Sequence, residues 1–111
     1  MRPISYGVSP PAATSTTVYT VPRGYYAIMK LLYIHNTGGA TKHITAQWYD
    51  SSLNTTLDIL TALNMTTKEY LQLNGNAYIV MEEGDQLKVT TEAGSSFTVI
   101  ASFDEIGLTR Q

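Results

Sequence analysis

Residues 25–36 read YYAIMKLLYIHN and residues 42–50 read KHITAQWYD, separated by Thr37-Gly38-Gly39-Ala40-Thr41. Both runs are rich in β-branched, aromatic and aliphatic residues and the second alternates, the pattern of half-buried strands, and the glycines between them suit a hairpin connection. A turn centred on Gly39 pairs His35 with His43, Ile34 with Ile44, Leu32 with Ala46 and Lys30 with Trp48. That register sorts the side chains onto two faces. Leu32, Ile34, Ile44, Ala46 and Trp48 form a core face, with the Lys30 stem lying along Trp48. The opposite face carries Met29, Leu31, Tyr33, His35, His43, Thr45, Gln47 and Tyr49. It is too apolar for a freely solvated surface and too polar for a sealed interior, so it reads as a partner-facing surface.

Outward from this pair, the remaining chain follows the same grammar. Thr16 to Val21 (TTVYTV) is a β-branched run halted at Pro22-Arg23-Gly24, which suits a type I turn with Pro at its second position. Thr55 to Asn64 is read as a strand, although Leu57, Leu60 and Leu63 recur near helical spacing. Thr67 to Leu73 and Ala77 to Met81 flank Asn74-Gly75, a strong two-residue hairpin signal. Glu82-Glu83-Gly84-Asp85 is a second tight turn, followed by Gln86 to Glu92 and Ser96 to Ile106 as a final hairpin. The first fourteen residues hold Pro3, Pro10 and Pro11 among small side chains, and proline cannot donate to a ladder. The expectation is an all-β chain: an extended arm over 1–14, free to lie across a neighbouring subunit, then one antiparallel β-sandwich of jelly-roll type over 15–111, with about eight strands.

Composition excludes several classes of function. The chain has 111 residues, 7 basic against 9 acidic side chains, a formal net charge of −2 and no cysteine. One domain of this size builds a core without staples, and without cysteine there is no disulfide framework, thiolate zinc site or cysteine nucleophile. The charge balance offers no footprint for nucleic acid or for an anionic membrane. No apolar run approaches the length that spans a bilayer, and residues 1–13 lack the apolar segment of a signal peptide, so a soluble protein not processed by the Sec route is expected.

Few residues suggest chemistry. His35 and His43, placed opposite each other, would be a metal-ligand pair or a pH switch, but the sequence supplies no third ligand at a usable spacing. Glu82, Glu83 and Asp85 are the one dense carboxylate cluster, and they lack the alternating pattern of a calcium loop; turn formation explains them. No nucleophile elbow, Walker loop or dinucleotide fingerprint is present. The two glycosylation sequons, at Asn54 and Asn64, carry no weight without a signal peptide. Tyrosine is the conspicuous excess, with eight residues against one Trp and two Phe. Tyr serves strands and recognition surfaces alike. The expectation is binding without catalysis, metal or cofactor, through Met29, Leu31, Tyr33, His35, His43 and Tyr49, with Pro10 and Pro11 at the end of the arm.

The segment TTVYTVPRG at Thr16–Gly24, the apolar strand ending in His35-Asn36-Thr37-Gly38, and YIVMEEGDQLKV at Tyr78–Val89 together resemble the small β-sandwich structural proteins of tailed-bacteriophage virions. The resemblance implies a non-enzymatic virion component made in the host cytoplasm. In that role it would be a capsid decoration or cement protein, bound to the major capsid protein and to copies of itself. The alternatives are a tail or fibre accessory module that binds a receptor, and a small metal-dependent enzyme centred on the two histidines.

Overall fold

A computed structural model describes residues 2–73 and 79–108. It contains β1 (Arg2–Val8), β2 (Thr16–Thr20), β3 (Tyr25–Asn36), β4 (Lys42–Asp50), β5 (Thr55–Met65), β6 (Tyr70–Leu73), β7 (Ile79–Met81), β8 (Gln86–Thr91) and β9 (Phe97–Gly107). They form two antiparallel sheets, a β-sandwich. One sheet is ordered β1-β9-β3-β6, with β7 also pairing β3, and the other β2-β8-β4-β5. Apart from β1, the strands, including Thr55 to Asn64, fall where the residue types imply. Asn74-Gly75 and Tyr78 lie outside the described residues; β6 and β7 sit end to end along β3.

The pairing of β3 with β4 is overturned. They lie in different sheets: β3 is hydrogen-bonded to β9, β6 and β7, and β4 to β5 and β8. His35 faces Tyr70 and Thr98 in its ladders, whereas His43 faces Asn64. The glycine-containing loop crosses the sandwich instead of reversing within a sheet, and Asn36 holds it there. This buried amide donates to the carbonyls of Ala40 (3.0 Å) and Met65 (2.9 Å) and accepts the Gly38 N–H (3.0 Å). The Thr37 N–H is fixed to the Ser96 carbonyl at 2.9 Å. The expected final hairpin fails for the same reason, since β8 pairs with β2 and β4 while β9 pairs with β1 and β3. Even so, Leu32, Ile34, Ile44 and Ala46 are all buried, because the inner faces of β3 and β4 meet across the core.

Two further expectations are corrected. Met29 is 7% exposed and belongs to the core, because the register shifts between Met29 and Leu31. This bulge at Lys30 turns Met29 inward and Leu31 outward. The N-terminal segment is also not a free arm, since Arg2–Val8 pairs in register with β9 from Arg2↔Glu105 to Val8↔Val99. Pro3 is tolerated because β1 is an edge strand, where a missing N–H need leave no ladder bond unmade. Pro10 is buried, so of the two candidate contact prolines only Pro11 is exposed.

Phe97 and Phe103 are the largest fully buried side chains among the described residues, and the buried Tyr19 ring stacks on Phe103 at 3.8 Å between centroids. The turn after β2 closes from the Tyr25 N–H to the Pro22 carbonyl (3.2 Å), one residue later than the sequence suggests, with Gly24 at φ 86°.

Candidate interaction surface

The two outer faces of the sandwich differ in chemistry. On the five-stranded sheet, β3 turns Leu31, Tyr33 and His35 outward beside Ser102, Ile100 and Thr98 of β9. Across β1, Ser5 and Gly7 continue this face, and β6 adds Tyr70 and Gln72. Tyr33 and Tyr70 stack at 5.8 Å, with His35 tilted against Tyr33 at 6.4 Å. Tyr70 is 62% exposed and Val80 of β7 48%. Asp104, opposite Ile28 and Pro3, is the one charged side chain that alternation places on the β9 part of this face. The result is a surface dominated by aromatic, aliphatic and hydroxyl groups.

The outer face of the four-stranded sheet is polar. His43, Thr45, Gln47 and Tyr49 of β4 lie beside Lys88 and Thr90 of β8. Gln47 Nε2 donates to Asp58 (2.9 Å), Tyr49 Oη donates to Asn54 (2.8 Å), and the Lys88 ammonium lies 5.2 Å from the Tyr49 ring centre. The His43 N–H donates to Glu92 (3.0 Å) and its Nε2 is 3.7 Å from the same carboxylate. The six strand residues read as one contact face are therefore divided three ways. Leu31, Tyr33 and His35 share the apolar face, His43 and Tyr49 lie on the opposite, charged one, and Met29 is inside. Sequence alternation reports which side of a strand a residue occupies, and the sheet change between β3 and β4 sends those sides in opposite directions.

Separating the two histidines removes the converging pair that a metal centre would need, and no group of three His, Cys, Asp or Glu able to hold a metal ion occurs among the described residues. A shallow pocket of about 350 Å³ is lined, among the described residues, by Tyr25, Tyr26, Val80, Glu82, Glu83 and Leu108. Glu83 there accepts the Gly24 N–H at 3.1 Å. Asp85, read from sequence as a turn former, is fully buried and ties two turns together. It accepts from the Ser51 N–H (3.0 Å), Ser51 Oγ (2.9 Å), the Glu82 N–H (2.9 Å) and Trp48 Nε1 (3.1 Å). Burial works to raise its pKa, but the hydrogen bonds from Ser51, Glu82 and Trp48 together hold it below the usual carboxylate value.

Glu105 is a second buried acid, 1% exposed. It accepts from Arg2 Nε at 2.6 Å and from Tyr19 Oη at 2.5 Å. Burial, then the bond to Glu105, pushes the Tyr19 hydroxyl well above the ordinary phenol range, and the same carboxylate raises the Arg2 guanidinium. The Arg2 head also sits 4.3 Å from the Tyr25 ring centre. Nothing local in the sequence announces this cluster, because its members are separated by most of the chain.

No protein-family model and no curated protein matches the chain. Among solved structures it is similar to a protein of Bacillus endospore appendages, described as "a novel family of disulfide-linked pili", with a TM-score of 0.55 and 14% identity. The match covers 97% of this chain and 87% of that one. At this identity the likeness is one of fold. No helix among the described residues is long and apolar enough to cross a membrane.

Proposed function

We propose that this protein is a non-enzymatic structural subunit that works in many copies, docking through the outer face of its five-stranded sheet. The observation that carries the reading is the contrast between the two outer faces. A surface rich in Tyr and aliphatic side chains, with Asp104 the one charge on its β9 part, is what interfaces present and what solvated sheet faces avoid. The fold likeness to a pilus protein supports a repeating subunit. With no cysteine, this chain assembles without disulfides. The narrower form of the proposal, decoration or cementing of a bacteriophage head, draws its support from the turn motifs at Thr16–Gly24 and Tyr78–Val89.

The test is self-association of the purified chain by light scattering and electron microscopy across a concentration series. Tyr33→Lys combined with Tyr70→Lys should abolish assembly while leaving the melting temperature within a few degrees, and Tyr49→Lys on the opposite face should leave assembly intact. A chain that stays monomeric up to millimolar concentration, or a double variant that assembles like the wild type, would overturn the proposal. Saturable binding to purified phage heads at fixed stoichiometry would establish the narrower form.

A further inference from the structure

We infer that β1 is an exchangeable strand: in the assembled protein the β1 of one copy occupies the place beside β9 of the next, with Arg2 on Glu105 as the key that sets its register. The inference rests on the multi-copy reading above.

The strand puts little side chain into the core, yet its place is sharply specified. Five of its seven residues are exposed, and only Ile4 and Val8 are partly buried. Its place in the sheet, by contrast, contains a preformed acid. Glu105 lies in the core beside Tyr19, and its one cationic partner among the described residues is Arg2. An empty place would leave a buried carboxylate without a cation, which is costly, so the place is filled either by the chain's own β1 or by another copy's. Among the nine described strands only β1 carries an arginine, so none of the others can supply the same pair.

The connection favours exchange. Residues 9–15 link β1 to β2 and carry Pro10 and Pro11, and Ala13 is held at φ 59° without being glycine. Closing β1 onto its own chain therefore holds Ala13 in a left-handed conformation, relieved when the linker straightens toward a neighbour at the loss of the Ala13 N–H bond to the Thr91 carbonyl (2.9 Å). Seven extended residues span about 23 Å, enough to reach an adjacent subunit. Because each copy gives its strand to the next and receives one from the copy before, and not from the same neighbour, the contact does not close on itself and propagates as a chain of subunits.

Ser5 and Ser102 provide the test, because their hydroxyls meet at 2.7 Å across the β1–β9 ladder and both can become cysteine in a protein that otherwise has none. The Ser5→Cys, Ser102→Cys double variant is oxidised under assembling conditions and under dilute monomeric conditions, then run on a denaturing gel without reductant. Exchange predicts a ladder of covalently joined chains from the assembled sample and a closed single chain from the dilute one. Mixing the two single variants should give a disulfide between different chains at the same positions. Arg2→Ala should shift the onset of assembly to higher concentration, since the incoming strand has lost its key. Assembly in which all cross-links stay within single chains would overturn the exchange and leave the multi-copy reading standing. A protein that never leaves the monomer would overturn both.

Discussion

Replacing Asp85 with asparagine isolates the electrostatics of one turn. The variant is nearly isosteric and keeps Oδ1 for the two bonds from Ser51, but it points an amide NH2 at the Glu82 N–H and Trp48 Nε1–H, which currently share Oδ2. Two hydrogen bonds to a charged acceptor are worth about 1.5–3 kcal/mol each. Part of that loss is offset because a neutral amide is cheaper to bury than a carboxylate. We expect a loss of about 3 kcal/mol at pH 7, against a total of about 5–15 kcal/mol for a domain. At about 4 °C per kcal/mol this is a fall of about 12 °C in Tm. The effect has a direction in pH. The folded-state pKa of Asp85 lies below its unfolded value of about 3.9, so its contribution is complete above that value and disappears as pH falls through the folded pKa. Urea unfolding at pH 7 and again near pH 2 measures both. A loss under about 1 kcal/mol at pH 7, or one that is the same at both pH values, would refute the assignment of Asp85 as a charged staple between the two turns.

The bulge at Lys30 is tested by paired substitutions on either side of it. Met29→Lys should prevent folding or cost several kcal/mol, because it places an ammonium in the core, whereas Leu31→Lys should change stability by less than about 1 kcal/mol; circular dichroism with thermal melts separates them. Trp48→Ala should cost about 3 kcal/mol through lost packing and the lost Asp85 bond, and Tyr49→Ala less than about 1 kcal/mol, both read by urea unfolding. Equal effects within either pair would mean that the inner and outer faces are misassigned.

The core was legible where period-two alternation is uninterrupted. Phe97, Val99, Ala101 and Phe103 alternate inward along β9, and Leu32, Ile34, Ile44 and Ala46 are buried although the strands that carry them were expected to be neighbours. Alternation specifies a side, and either way of joining β3 to β4 buries the same four side chains. What separates a hairpin from a crossing is the amide of Asn36 and its bonds to Ala40 and Met65, a long-range arrangement with no local mark. Met29 was misplaced because a bulge adds one residue without any change in composition. β1 was missed because its prolines and small residues read as a linker, and the partner that makes it a strand lies at the far end of the chain. Of the candidate contact residues, Leu31, Tyr33 and His35 fall on one surface because they follow the bulge on a single strand.

The placement of β9 between β1 and β3 has a consequence for synthesis. Among the described strands β1 has no ladder partner until β9 has been made, whereas β3 can pair earlier only with the short strands β6 and β7. A nascent chain that lacks β9 therefore leaves β1 and β3 without the strand that joins them, and the five-stranded sheet closes only once β9 has emerged. The emergence of β9 is the trigger for that sheet, and a polypeptide truncated anywhere before β9 cannot form it.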